Sequence, residues 1–477
     1  MDLGAIATPQ SLWLVLLLFL IIVYLTTSRS RAEKLYGKLP SPPFKLPLIG
    51  HLHLVGSLPH VALRDLATKH GPDVMLIRLG VVPTLVVSSP RAAKAVLRTY
   101  DHLFASRPHS PVGDILFSGS TNIAFAPYGD YWCQLRKIVT THLLSARKVR
   151  SNRAARETEL RLVLARVKAA IAASSAVDVS EVFSYFANDV ICQAVLGRLP
   201  REAGRNKILA RLDMASGKAV KQKKIWDDLL DDLIDKHASK TVMDEDEQDF
   251  IDVLLSVQQE YGLTKDNIKA IFMDMFEAGT DTTYVSLDYA MAELMRNPRV
   301  MTKLQAEVRS CVTKGKEMVT EEDLASMSYL KAVMKEAMRL HPSGALLIPH
   351  LSVADCDVEG YTIPSRTRLM VNAWALGRDP TCWENAEEFV PERFLKGAMD
   401  AACDFQGNDF RFLPFGSGRR ICPGITFAAV TFEIILANLI YHFNWELPEG
   451  SPGVDMTEEY GIDVHRKVKL LLVPRMV

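Results

Sequence analysis

The chain has 477 residues, carries 56 Lys+Arg against 56 Asp+Glu, and is 48% hydrophobic. A disordered chain would be poorer in apolar residues and unbalanced in charge, and a nucleic-acid binder would be basic, so neither class fits. Seven cysteines, odd in number, scattered and without a CxxC pair, argue against a disulfide framework or structural zinc and for buried thiols in a reducing compartment.

At the N-terminus, Leu3 to Ser28 carries no charge and Leu12 to Leu25 is unbroken apolar. At about 1.5 Å per residue, that is long enough to cross roughly 30 Å of hydrocarbon. Arg29, Arg31 and Lys34 follow it and only Asp2 precedes it, so residues 1–28 read as a single-pass anchor with the remainder cytoplasmic. A cleaved signal peptide would place its basic residues ahead of the apolar run. Residues 29–50 turn basic and then proline-rich (Pro40, Pro42, Pro43, Pro47), the composition of a stiff, non-helical spacer.

From residue 51 to 477 the pattern is one mainly α body with a small β portion. Val74–Leu79 and Thr84–Val87 read as strands, and Ser89-Pro90 as a helix start. Ser145–Ala173 is rich in strong helix formers. Asp244 to Asp249 is an acidic loop. Thr264 is expected to cap a long helix reaching about Met295, and Thr320 to Asp323 has the form of a capping box. Tyr329–Leu340 is helical up to His341-Pro342. Strand-like pieces follow at Leu346–Pro349 and Arg368–Asn372, and Phe427–Phe443 reads as a last buried helix, its apolar run interrupted by Glu433, Asn438 and His442.

The sharpest motif is Phe415-Gly-Ser-Gly-Arg-Arg-Ile-Cys-Pro-Gly424. Its glycines let backbone approach a large flat group, and backbone N–H groups with the following helix N-terminus are expected to depress the Cys422 thiol. A lone thiolate without CxxC or a nearby His does not suit zinc but does suit an axial ligand to haem iron. A buried cysteine in a Gly-rich turn is the plainer alternative for any single cysteine; the full ten-residue pattern opposes it.

With this loop the sequence resembles a cytochrome P450, and the resemblance covers nearly the whole chain. It implies the family's prism of helices, haem b held by Cys422, and further roles. Glu336 and Arg339, with Arg393 of Pro391-Glu-Arg-Phe394, would form a buried ion-pair network. Asp281 and Thr282 of Ala278-Gly-Thr-Asp-Thr-Thr283 would be the acid–alcohol pair that delivers protons during dioxygen activation, with a local opening of the helix there. Trp132, Arg136 and Arg420 would meet the haem propionates, and Phe415 and Gly424 would contact the haem. His350 stands where many members have Arg, so an imidazole would make that propionate contact. Substrate contacts would come from Ile115, Phe117, Phe276, Glu277, Ala278, Ala345, Leu346, Leu347 and Ile462. Except for Glu277 these suit a lipophilic or aromatic small molecule. Glu277 would favour a substrate bearing an N–H or a positive charge.

The anchor, the spacer and Trp374-Ala-Leu-Gly-Arg-Asp-Pro380 are similar to the microsomal plant branch, near grass hydroxylases of indole-derived defence compounds. The implied partners are O2, the endoplasmic reticulum membrane and an NADPH-dependent P450 reductase, since the chain has no GxGxxG fingerprint of its own. Lys137, Arg147, Lys335 and Arg419 would present a basic docking face. Three features depart from the family. Phe44-Lys45 replaces the usual hinge, His350 replaces Arg, and residues 198–225 are too short for the usual roof helix and loop. A haem-thiolate isomerase or dehydratase, and an inactive haem-binding member, remain open alternatives.

Overall fold

The computed structural model describes Trp13 and residues 30–197, 216–238 and 249–477. The expected anchor apart from Trp13, most of the acidic loop and the start of the shortened interval lie outside the described residues.

The segment expected to be a stiff, non-helical spacer is neither detached nor wholly non-helical. It opens with a helix, Arg31–Tyr36, capped by the Ser30 side chain. Tyr36 and Leu39 are buried in the body, and the Leu76 N–H donates to the Pro40 carbonyl at 2.7 Å. Glu33 reaches Arg78 at 2.6 Å, a contact that helix propensity alone would not disclose.

Strands β1 (Val74–Leu79) and β2 (Val82–Val87) form an antiparallel hairpin. Helix α1 is Asp130–His142, and the long helical run around residue 150 divides at Asn152 into Ala146–Ser151 and Arg153–Ala172. Then come α2 (Val179–Leu196), α3 (Ser216–Ala238) and α4 (Lys265–Arg296). Thr264 caps α4 in a reciprocal box with Asn267. Helix α4 is buried on nearly every side, as expected of a central element; its buried Lys269, Asp288 and Glu293 are in ion pairs, and Asp274 is hydrogen-bonded without a counter-charge among the described residues.

The capping box expected at Thr320–Asp323 does not close: the Thr320 N–H and hydroxyl both donate to Asp323 Oδ2, at 2.8 and 2.9 Å, the Asp323 N–H goes to the Thr320 carbonyl, and only a short 3-10 turn, Asp323–Ser326, follows. Helix α5 (Ser328–Leu340) is capped from a distance, by Glu307 accepting from the Tyr329 and Leu330 N–H groups at 2.7 and 2.9 Å. The strand expected at Leu346–Pro349 is displaced to β3 (His350–Leu351). Leu347 sits at φ +50°, outside the β region, and Arg107 occupies the Ile348 and Pro349 carbonyls.

Strand β4 (Arg368–Val371) lies parallel to β2 and antiparallel to β3, completing a sheet ordered β1-β2-β4-β3. Helix α6 (Ile425–His442) is, among the described residues, the one helix long and apolar enough to cross a membrane. Its Ile434 to Ile440 face is core, and Asn438 is satisfied at Val319 and Ile434. All seven cysteines are free; Cys192, Cys356 and Cys403 are buried and Cys133 is exposed.

Candidate functional site

The Phe415–Gly424 loop ends at the N-terminus of α6 and is held from behind. Gly418 is at φ +68°, and a Cβ there would lie 2.3 Å from the Leu97 carbonyl oxygen, so only glycine fits. This glycine therefore serves the approach to the neighbouring backbone, not to a ligand. Arg419 clamps onto Asp101, its Nη1 at 2.6 Å, and Ser417 donates to the Gly407 carbonyl at 2.6 Å. The Cys422 N–H donates to the Phe415 carbonyl, and the Gly424 N–H points at the Cys422 sulfur from 3.4 Å.

The expected depression of the thiol is not what the loop achieves. Burial pushes the Cys422 thiol up, while the Gly424 N–H and Arg136 pull it only part of the way back. A thiolate here requires a cation at the sulfur itself.

Cys422 faces a cavity of about 320 Å³ whose walls are mostly apolar. Three guanidinium groups converge on it: Arg107, Arg136 and Arg420. Among the described residues their hydrogen bonds go to carbonyls and not to carboxylates. Arg136 reaches Ile421 at 2.7 Å. Arg420 reaches Ala105 and Ala126 at 2.6 Å and Ile123 at 3.2 Å. Arg107 reaches Ala124 at 3.0 Å and Ile348 at 2.7 Å.

Burial lowers all three, and neighbouring arginines add to the lowering at Arg107 and Arg420. Buried like charges without counter-charge are costly, so this wall fits a ligand that brings carboxylates of its own. A large flat ligand with a thiolate-seeking metal and two propionates meets both requirements. The residues present therefore fit haem.

Trp132 stacks beneath two of these arginines, with Arg420 at 4.1 Å and Arg136 at 5.5 Å from its ring. Its Nε1–H is used by the Ile123 carbonyl at 3.0 Å. His350 does not make the expected cationic contact. Its Nδ1 lies 2.8 Å from the Phe104 carbonyl, and burial beside Arg107 and Arg420 pushes it well below the ordinary histidine range. A neutral imidazole with Nδ1–H committed leaves only an acceptor at Nε2. Arg107, which nothing in the sequence pattern singled out, supplies the charge instead.

Across the cavity lies α4. Asp274, Glu277, Ala278, Asp281 and Thr282 line it, being spaced three or four residues apart on one helical face. Phe276 is off that face and stacks on Trp226 of α3, ring centroids 5.7 Å apart, so its expected substrate contact is not made. The expected opening of the helix is also not seen: α4 runs unbroken, and Thr282 Oγ1 donates to the Ala278 carbonyl at 2.6 Å. Gly279 has another reason, since a Cβ there would lie 3.0 Å from the Ile191 side chain of α2.

Phe117, Leu347 and Ile462 line the cavity, as do Phe415 and Gly424. Ile115, Ala345 and Leu346 do not: Ile115 packs on the main core, Ala345 on Trp374, and Leu346 among Leu63, Met75 and Val86. Alternation along an irregular segment sends neighbouring side chains to opposite sides.

Behind the loop, Glu336 and Arg339 are fully buried and paired twofold at 2.8 Å, and Arg393 Nε joins Glu336 at 3.1 Å. Their remaining donors hold the Ala386, Glu388 and Glu384 carbonyls. Asp274 and Asn122 form a second buried pair at 2.6 Å that sequence reasoning missed, because no local pattern joins residues 152 positions apart.

The sequence profile of cytochrome P450 matches residues 40–210 and 205–472. An indole-2-monooxygenase of Zea mays is 53% identical over 98% of this chain and 95% of its own length. A 3-hydroxyindolin-2-one monooxygenase of Zea mays is 50% identical over 92% of this chain and 88% of its own length. The first alignment runs over 515 positions, more than the chain contains, so relatives carry residues that this chain lacks. A zebra fish cytochrome P450 solved with progesterone superposes with a TM-score of 0.77 at 26% identity, covering 87% of this chain and 99% of that one. With the thiol loop, the arginine wall and the buried Glu336 network in place, the chain belongs to the cytochrome P450 family, as a haem-thiolate monooxygenase.

Proposed function

We propose that the protein inserts one oxygen atom of O2 into a small aromatic metabolite bearing an N–H group, of the indole type. The carrying observation is the pair of carboxylates, Glu277 and Asp281, on the α4 face of a cavity whose walls are mostly apolar. An apolar wall with a few acceptors selects a flat, lipophilic donor. The two Zea mays relatives support the same class.

Haem, when bound, supplies dioxygen activation and the oxidising power. The chain's residues do the rest. Cys422 would ligate the iron, and Arg107, Arg136 and Arg420 would orient the propionates. Thr282 Oγ1, with Asp281 beside it, holds and passes a proton at the cavity surface. Ser286 donates to the Thr282 carbonyl at 2.8 Å and continues the hydroxyl line along α4. Phe117 and Leu347 exclude water.

Electrons would come from NADPH through a separate reductase. Of the basic residues suggested for its docking, Lys137 and Arg147 are exposed, whereas Arg419 is engaged by Asp101 and Lys335 by the Cys403 carbonyl. Endoplasmic reticulum residence rests on the N-terminal apolar run and on an exposed apolar patch where Phe44, Leu46, Leu48, Ile49 and Leu52 meet the Val81 hairpin tip. The profile match splits into two pieces that overlap at residues 205–210, and the alignment to the Zea mays indole-2-monooxygenase runs over 515 positions against 477 residues; together these support a shortened roof between α2 and α3. Helix α3 still covers the start of α4, with Lys269 held by Asp227 and Asp231 at 3.3 Å.

The test is turnover of an indole and indolinone panel by membranes containing the protein, reductase and NADPH under ¹⁸O2. A product heavier by one labelled oxygen is expected. Conversion without O2 would favour an isomerase or dehydratase, and a carbon monoxide spectrum without turnover would favour an inactive member. In the same assay Glu277→Gln is expected to weaken spectral binding of N–H substrates about 3- to 10-fold while sparing N-methyl analogues, the difference between a charge-assisted and a neutral hydrogen bond. Equal affinity across the panel removes Glu277 as a contact.

A further inference from the structure

Asp274 is 5% exposed and points from α4 at the loop that follows Phe117. Its Oδ1 accepts from Asn122 Nδ2 at 2.6 Å, and its Oδ2 accepts the Ile123 and Ala124 N–H groups at 2.5 and 3.2 Å. Asn122 is fully buried, and its Oδ1 accepts the Phe125 N–H at 3.2 Å. The same stretch of backbone faces the arginine wall with its carbonyls. Ile123 O accepts from Trp132 and Arg420, Ala124 O from Arg107, and Ala126 O from Arg420. Phe117 and Phe125, stacked 5.4 Å apart, carry the loop's other face into the cavity.

We propose that Asp274 is a positioning residue that fixes one loop at once as substrate wall and as the carbonyl support of Arg107 and Arg420, so that the two halves of the site cannot shift independently. The carboxylate orders the peptide N–H groups on one side, and those same peptide units aim their oxygens at the guanidinium groups on the other. Burial outweighs the three donors and brings the Asp274 carboxyl up to about 7, a cost that an unused side chain would not impose. The substrate half of this inference rests on the function proposed above; the loop half does not.

The test uses the full-length holoprotein without substrate and reads backbone hydrogen exchange across residues 117–128. In Asp274→Asn, the new amide nitrogen meets the Asn122 amide nitrogen, so one partner must turn away from the loop. Exchange within residues 123–125 is expected to rise about 10-fold, at Ile123 and Ala124 where the new amide on α4 turns and at Phe125 where the Asn122 amide turns, the equivalent of losing one hydrogen bond.

The exchanged pair Asn122→Asp with Asp274→Asn rebuilds every bond. The amide now on α4 would receive both backbone N–H groups on its oxygen and donate from its nitrogen to the carboxylate now on the loop. That carboxylate would keep the Phe125 N–H. Exchange is expected to return to within about twofold of the parent, a coupling that independent effects do not produce. Haem transfer to an acceptor protein and the indole dissociation constant are expected to rise together in the single variant and to recover together in the pair. Should Asp274→Asn fail to fold, recovery of folded protein in the exchanged pair supports the assignment. Unchanged exchange in the single variant, or a folded pair that stays as labile as the single, overturns it. Exchange that behaves as expected while no indole binds leaves Asp274 in place and overturns only the substrate assignment.

Discussion

Cys422→Ser is expected to abolish the absorption band that thiolate-ligated haem shows with carbon monoxide and reductant, and with it all turnover. Serine keeps the shape of the side chain and its position under the Gly424 N–H. It fails because a hydroxyl is a far weaker acid than a thiol, and this wall already disfavours the anion: burial raises even the thiol, and only Gly424 and Arg136 oppose that. The variant should fold, since the loop is held by Gly418, Asp101 and Ser417 and not by the sulfur. Its melting temperature without haem should therefore match that of the parent apoprotein. A retained thiolate-type band in Cys422→Ser would remove Cys422 as the ligand.

Glu336→Gln should be nearly as damaging, through stability instead of chemistry. The Glu336 carboxylate is shared by two buried guanidinium groups, and it also accepts the Val390 N–H at 2.8 Å. Glutamine keeps volume and one acceptor but leaves Arg339 and Arg393 charged and uncompensated in a dry interior. Removing one partner of such a pair typically costs about 3–5 kcal/mol, a large fraction of the stability of any domain. The denaturant midpoint and the yield of haem-loaded protein should fall together. By contrast Arg31→Ala, which breaks a pair with Asp355 at the surface, should leave both unchanged. Equal midpoints for Glu336→Gln and the parent would show that the network carries little of the fold.

Much of the site was legible because some constraints are local. The Cys422 loop needs a glycine at residue 418, a cysteine and a helix start within ten residues, and a cap such as Thr264 acts within three. Glu336 and Arg339 lie one turn apart on α5, so the sequence could place them on one face. Errors arose where a side chain's direction depended on distant backbone. The family resemblance implies a cavity contact for Phe276 along with Glu277 and Ala278, yet a helix turns by about 100° per residue and carries Phe276 to Trp226. His350 was read from its position in a motif, whereas its charge is set by Phe104, Arg107 and Arg420.

The sequence by itself determined the family, the ligand loop, the ion-pair network behind it and the long central helix, because each is written in short, nearly contiguous patterns. Only the tertiary structure decided which α4 residues face the cavity, that Arg107 and not His350 completes the cationic wall, and that Asp274 holds the loop between them. Asp274 meets residues 150 to 152 positions away, and Arg107 reaches Ile348, 241 positions away. These contacts are fixed by burial and by hydrogen bonds to backbone groups, and a polar side chain can meet a carbonyl or an N–H anywhere in the fold without leaving a trace in local sequence.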